Sequence, residues 1–93
     1  MTITITDTAW GINRITGDRS ETVVDQKTMQ AAIGSLDPIG PIRKVFEITD
    51  MSNDMLTVVL NPAGKTVTLA IGETYIYRPR AFDGGHYYTI TVQ

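Results

Sequence analysis

The sequence contains no cysteine and only one histidine, His86, and both shortages narrow the functions open to the chain. Without cysteine there are no disulfides, no thiolate nucleophiles and no thiolate metal ligands. A metal site needs three or four ligands, which a single histidine and scattered carboxylates do not supply. No Gly-x-Ser-x-Gly turn is present to carry a nucleophilic serine. We therefore expect no metal, no other cofactor and no enzymatic activity.

The chain also lacks a strong charge of either sign and a long apolar run. Its net charge of −2 and isoelectric point near 5 leave no basic footprint for nucleic acid. No stretch approaches the roughly 20 apolar residues that a membrane helix requires. Residues 1–7 lack the basic segment and apolar run of a secretory signal, and a cysteine-free chain fits a reducing compartment. We expect a cytoplasmic protein that binds neither nucleic acid nor membrane.

Period-two alternation of apolar and polar residues dominates the chain and predicts β-strands. Thr2–Thr6 alternates threonine with isoleucine, so that the two residue types face opposite sides of a strand. The turn at residues 72–73 begins with glycine and is predicted to join two strands as a hairpin. In that register Ile76 lies inward beside Leu69, and the tyrosines on either side of Ile76 face outward. Further strands are predicted at residues 9–15, 43–49, 55–60, 65–71, 74–78 and 86–92.

One segment follows a helical period instead. Its apolar residues repeat at i, i+3, i+4 and i+7, Asp25 can cap the first turn, and Gly34 suits the left-handed residue that ends a helix. This pattern predicts one short helix at about 23–34 that packs on the sheet through its apolar stripe. The stripe consists of Met29, Ala32, Ile33 and Leu36.

These patterns predict a single domain over residues 1–93. The fold class is α+β and mainly antiparallel β, arranged as a small barrel or a sandwich-like meander of about six strands with one short helix. The predicted core contains Ile5, Ile33, Phe46, Val58, Leu69, Ile76, Tyr88 and Ile90.

Two late segments resemble parts of known sandwich proteins. Residues 67–75, Val-Thr-Leu-Ala-Ile-Gly-Glu-Thr-Tyr, followed by residues 85–92, Gly-His-Tyr-Tyr-Thr-Ile-Thr-Val, are similar to the closing hairpins of immunoglobulin-like and cupredoxin-like sandwiches. The similarity is a turn followed by a strand, and it implies no function. A copper site is excluded, because the chain lacks the cysteine and second histidine that such a site uses.

The segment from residue 75 to residue 88 carries the strongest functional signal. It holds all four tyrosines, the only histidine and two of the arginines. Tyrosine and arginine are enriched in the residues that dominate binding interfaces. Whether the rings form an exposed face or pack under a second layer stays open here, and Trp10 has the same ambiguity. The candidate binding residues are Tyr75, Tyr77, Arg78, Arg80, His86 and Tyr87.

Three smaller constellations each have a structural and a functional interpretation. His86 with Asp83 could form a general base and its orienting carboxylate, but a histidine that starts a strand is the simpler interpretation. Gly84-Gly85 with the nearby arginines could cradle an anion, or the two glycines could serve a hairpin loop that needs positive φ. The Asx-rich segment at residues 50–54 lacks the glycine and terminal glutamate of a calcium loop and is predicted to be a turn.

The leading hypothesis is a non-enzymatic, protein-binding accessory or adaptor domain, of a size and style that suit a phage or mobile-element inhibitor of a host system. The partner is expected to be another protein, or a second copy joined through residues 86–93 as an edge strand. One alternative is a small-ligand protein that binds an anionic or nucleotide-like molecule in a Tyr/Arg/His pocket. Another is a structural subunit of a larger assembly.

Overall fold

The computed structural model describes residues 1–30 and 45–93, which form seven β-strands. Threonine, valine and isoleucine recur in these strands because β-branched side chains pack well on a pleated sheet. The strands are β1 (Thr2–Ile12), β2 (Arg19–Gln30), β3 (Phe46–Met51), β4 (Met55–Leu60), β5 (Lys65–Ala70), β6 (Thr74–Tyr77) and β7 (Gly84–Val92).

The strands form two open antiparallel sheets. The large sheet has the order β2-β1-β7-β6, and the small sheet has the order β3-β4-β5. One hydrophobic core contains residues from both, including Ile5 and Ile90 of the large sheet and Phe46 and Val58 of the small sheet. The prediction of a mainly antiparallel β fold is confirmed. The expected barrel is wrong for the described part of the chain, where neither sheet closes on itself.

The predicted helix at 23–34 is wrong over residues 23–30, which belong to β2. β2 pairs with β1 along its whole length, with one bulge where Asp7 and Thr8 face Asp25 and Val23. The β-branched residues of β2 favour a strand, and pairing satisfies the backbone groups on one side of β1. Only Met29 of the helical stripe is described, and it packs against the core as a strand residue opposite Ile3. Residues 31–34 of the prediction lie outside the described residues.

The turn at residues 72–73 joins the two sheets and not the two strands of a hairpin. Gly72 has a φ of 95°, and the Glu73 N–H donates to the Ala70 carbonyl at 3.0 Å, the pattern of a type II turn. Such turns do not match the twist of a hairpin. The Gly72 N–H donates instead to the Val92 carbonyl of the large sheet at 2.7 Å. The chain therefore leaves the small sheet after β5 and enters the large sheet as β6.

This crossing reverses the predicted faces of β6. Tyr75 and Tyr77 pair with Ile90 and Tyr88 and pack against the core, whereas Ile76 lies on the outer face and is 47% exposed. The prediction that Ile76 lies in the core is wrong. The other described members of the predicted core are buried, and Ile33 lies outside the described residues.

Residues 86–93 do not form an edge strand, which corrects the predicted route to a homo-oligomer. β7 lies between β1 and β6, so both sides of its residues Tyr88–Thr91 are paired. Among the described strands of the large sheet, β2 and β6 are the edges.

The β1–β2 hairpin gives the molecule one distinct end. β1 and β2 contain 11 and 12 residues, whereas each strand of the small sheet contains six. The molecule accordingly has extents of 49 × 23 × 22 Å. On the inner face of the large sheet the buried residues stop at Asp7 and Tyr88. The part of the large sheet beyond them, with its connecting loops, is called the hairpin end below.

Candidate functional site

The six predicted binding residues do not form one surface. Because successive side chains of a strand point to opposite faces, they divide between the two faces of the large sheet. Tyr75, Tyr77 and His86 lie on the inner face, and Tyr87 lies on the outer face together with Arg78. Arg80 is exposed in the segment that follows β6.

The inner-face tyrosines serve mainly to pack the core. The ring centroid of Tyr77 lies 6.4 Å from that of Tyr88, with the ring planes tilted by 31°. Tyr75 packs against the core, and the Lys65 ammonium lies 3.4 Å from its hydroxyl. These contacts answer the open question for Tyr75 and Tyr77, which are half-buried structural residues and not an exposed aromatic face.

His86 has a carboxylate partner that differs from the predicted one. Its Nδ1 lies 2.7 Å from Oδ1 of Asp7 on the neighbouring strand, and Asp7 is buried. The predicted partner, Asp83, instead pairs with the Arg14 guanidinium. The Asp7–His86 pair spans β1 and β7 where the core ends, and it satisfies a carboxylate that would otherwise be buried without a partner.

The outer face carries a connected cluster at the hairpin end. The Arg78 guanidinium lies 4.4 Å from the centroid of the Tyr87 ring, and the Arg19 guanidinium lies 4.7 Å from that of Trp10. Glu21 joins the two halves, because its carboxylate accepts from Arg19 at 2.9 Å and from the Tyr87 hydroxyl at 3.4 Å. We call Trp10, Arg19, Glu21, Arg78 and Tyr87 the sheet-end cluster.

Strand register brings these residues together. Trp10 of β1 lies opposite Glu21 of β2, and Thr8 lies opposite Tyr87 of β7. Although Thr8 points to the outer face, it is only 5% exposed, and its cross-strand neighbours are Val23 and the cluster residue Tyr87. The cluster is therefore packed down on the sheet, and its side chains are partly ordered before any partner binds.

Gly84 and Gly85 allow the cluster and the neighbouring loop to approach each other. Neither glycine has positive φ, so the predicted hairpin loop is wrong, and both belong to β7. A Cβ on Gly84 would lie 2.9 Å from the backbone oxygen of Trp10, and one on Gly85 would lie 3.0 Å from the Cβ of Ala81. A larger residue at Gly84 would require the backbone to shift, whereas one at Gly85 would require only a small movement of Ala81.

The charges at this end are only partly neutralised. Arg14 pairs with Asp83, and Arg19 pairs with Glu21. Among the described residues, Arg78 and Arg80 have no carboxylate partner. Two exposed guanidinium groups therefore remain available to an acidic group from outside.

Toward the other end of the outer face the surface is neutral and rich in threonine. Thr74 and Thr91 share a hydrogen bond of 2.9 Å, and Thr4 and Thr28 share one of 3.0 Å. These side chains pair with one another across the strands, as expected of solvent-facing residues in a sheet. The change from neutral threonines to the charged and aromatic cluster sets the hairpin end apart chemically.

An open cleft of about 480 Å³ lies at the hairpin end, beside Asn13, Asp18 and Asp83. None of the six predicted residues lines it. Its carboxylates would repel an anionic ligand, so it does not match the predicted Tyr/Arg/His pocket. Within residues 1–30 and 45–93, no group of three or more potential metal ligands is present.

Glu21 is absent from the predicted site, and the sequence alone did not connect Trp10 and Arg19 with the C-terminal residues. The alternation in Thr2–Thr6 indicated that β1 has one buried face, but it does not identify the strands that pair with β1. Comparison with protein families, with curated proteins and with solved structures finds no match to this chain. In the described parts of the chain no helix is long and apolar enough to cross a membrane.

Proposed function

We propose that the protein is a non-enzymatic, protein-binding domain and that it binds its partner through the sheet-end cluster. The observation that carries this proposal is the outer-face arrangement in which two exposed guanidinium groups lie over the half-buried rings of Trp10 and Tyr87. Tryptophan, tyrosine and arginine dominate the binding energy of protein interfaces because each combines a large contact area with directed polar groups.

The geometry of the cluster supports binding in two ways. Stacking on Tyr87 restricts the Arg78 side chain, so less conformational entropy is lost when its N–H groups engage a partner. Glu21 fixes Arg19 and Tyr87 together, which keeps the central part of the surface in one arrangement. A partner with a carboxylate opposite Arg78 would complete the charge pairing.

The proposal of a non-enzymatic role rests on the inventory of side chains. Asp7 and His86 resemble the orienting acid and base of a hydrolase. The chain has no cysteine and no serine in a nucleophile turn, and Asp7 already has a structural reason to be paired because it is buried. The pair therefore supports the fold of β1 against β7.

Photo-crosslinking in the cells that make the protein tests this proposal. Benzoylphenylalanine in place of Ile76, which lies on the outer face and outside the cluster, reports on a partner seated there. The same group in place of Thr68, an exposed residue of the small sheet, is the control. We expect a discrete crosslinked protein from position 76 and none from position 68.

The combined substitutions Arg78→Ala and Arg80→Ala should abolish the crosslink at position 76 while the melting temperature changes by no more than a few degrees. Lys27→Ala removes one exposed positive charge elsewhere on the large sheet and should leave the crosslink intact. Undiminished crosslinking in the double arginine variant would contradict the assignment of the cluster as the site.

A further inference from the structure

Two apolar side chains at the hairpin end are almost fully exposed. Ile15, in the loop between β1 and β2, is 95% exposed, and Phe82, in the loop before β7, is 91% exposed. Single exposed apolar residues are common on protein surfaces. Here two large ones occur in loops that contact each other, because Arg14 pairs with Asp83 and each lies next to one of the apolar residues. We call Ile15 and Phe82 the apolar tip.

The backbone under Ile15 is held in one conformation by its own loop. The Asn13 side-chain oxygen accepts the N–H groups of Ile15 and Thr16 at 2.8 and 3.2 Å. The Asn13 carbonyl accepts the N–H of Gly17 at 2.7 Å. An asparagine that caps its own loop in this way forms an Asx turn. Ile15 is therefore presented by an ordered loop.

The loop that carries Phe82 is anchored to the hairpin on the same side. The Ile12 N–H donates to the Asp83 carbonyl at 2.8 Å, next to the ion pair between Arg14 and Asp83. Gly84 brings the following strand close to Trp10. Since both loops are tied to one hairpin, binding the tip requires little ordering of the chain, which favours affinity.

We propose that the apolar tip inserts into an apolar pocket of a partner protein and that carboxylates flank this pocket. This inference rests on the proposed function and specifies the chemistry of the partner. On binding, the tip would bury two large apolar side chains, whereas the rings of the sheet-end cluster are already partly covered by guanidinium groups. Interfaces with a central apolar anchor and a polar rim bind most strongly.

The charges around the tip favour an acidic protein surface. Arg80 lies two residues before Phe82 and, among the described residues, has no carboxylate partner, and the same holds for Arg78. An anionic lipid surface fits less well, because Arg78 and Arg80 are fewer than the roughly four to eight basic residues that such a surface usually recruits. Two apolar side chains also bury too little area for stable attachment to a bilayer.

Selection from a phage-displayed library of random peptides tests the proposed chemistry. The purified protein is the bait, and the dissociation constants of selected peptides are measured by calorimetry. We expect the selected peptides to combine aromatic or aliphatic residues with Asp or Glu. Ile15→Ser with Phe82→Ser should weaken their binding at least tenfold, a typical loss on truncating dominant interface residues. Met55→Ser with Ile71→Ser changes two exposed apolar residues of the small-sheet region and should leave binding unchanged.

The outcomes separate this inference from the proposed function. Peptides that lose affinity in the Arg78→Ala, Arg80→Ala variant but not in the tip variant would overturn the tip and preserve the cluster. Peptides that lose affinity only in the tip variant would preserve the apolar contact of the tip and overturn both the cluster and the carboxylates proposed to flank the pocket. A selection that yields no tip-dependent peptide would overturn the inference. It would also be overturned if phosphatidylglycerol vesicles sediment the parent protein but not the tip variant, because the tip would then bind lipid.

Discussion

Two isoleucine-to-alanine substitutions on neighbouring strands test the arrangement of the two sheets. Ile76 of β6 and Ile90 of β7 belong to the large sheet, but Ile76 is 47% exposed on the outer face and Ile90 is fully buried in the core. Both variants replace isoleucine by alanine in the same sheet. The difference between the two variants therefore reports the face of the sheet and little else.

The expected magnitudes follow from burial. Ile90→Ala removes buried carbon atoms and leaves a cavity, which costs roughly 2–5 kcal/mol. Ile76 loses only part of an already exposed side chain, so Ile76→Ala should cost about 1 kcal/mol or less, including the lower strand preference of alanine. For a domain of this size, 1 kcal/mol corresponds to roughly 4–8 °C in melting temperature. The Ile90 variant should therefore melt at least about 8 °C below the parent.

Urea denaturation followed by circular dichroism gives the free energies, and a thermal melt gives the midpoints. Unchanged slopes with urea concentration would show that both variants unfold between comparable states. If Ile76→Ala is as destabilising as Ile90→Ala, then Ile76 lies in the core beside Leu69, β5 and β6 form a hairpin, and the crossing between sheets at Gly72 is wrong.

Three further predictions follow from the same structure. Phe46→Ala and Leu69→Ala, at buried positions of the small sheet, should each lower the free energy of unfolding by about 2–5 kcal/mol; unchanged urea midpoints would show that the small sheet does not contribute to the core. Gly84→Ala should destabilise the protein by roughly 1–3 kcal/mol, because its Cβ would lie 2.9 Å from the Trp10 backbone oxygen. Ala9→Gly, the reverse exchange of the same two residue types on the partner strand, serves as the control. A Gly84→Ala variant as stable as the parent would exclude the close approach. EDTA should leave the melting temperature unchanged, since the ligand inventory has no cysteine and one histidine; a clear decrease would reveal a structural metal.

Strand phase was predictable where only one face of the strand is apolar. In β7, Tyr88, Ile90 and Val92 alternate with threonines and all three are buried, which confirms the predicted burial of Tyr88 and Ile90. In β6, Ile76 alternates with Tyr75 and Tyr77, so both faces carry large side chains and alternation does not choose between them. The choice was made by pairing with β7, whose register places Tyr75 and Tyr77 beside the buried Ile90 and Tyr88, and the sequence of β6 alone does not show that register.

The helix prediction failed because the apolar residues with a helical period start at Met29, near the end of β2. Met29 fits the helical stripe and also fits the inward face of β2 opposite Ile3. The preceding Val23 and Val24 favoured a strand locally, but a strand at this position needs β1 as its partner. β1 and β2 are joined by the loop at residues 13–18.

The residue types of the candidate site were predictable from the sequence, but the full set of residues that come together there was not. Tyr87 and Arg78 were identified because aromatic and guanidinium groups crowd one segment of sequence. Trp10 and Arg19 join them only because β1 pairs with β2 and β7 at the same time. Such non-local pairing also placed Asp7, and not Asp83, beside His86.

The claim that the hairpin end is the binding surface is tested most directly by NMR. The isotope-labelled protein is titrated with the selected peptide that binds most tightly. Amide and side-chain NMR signals are followed during the titration. We expect the largest shifts at Trp10, Arg19, Tyr87 and Phe82, with little change in β4 and β5. Shifts concentrated on the exposed face of the small sheet, at Thr66 and Thr68, would contradict it.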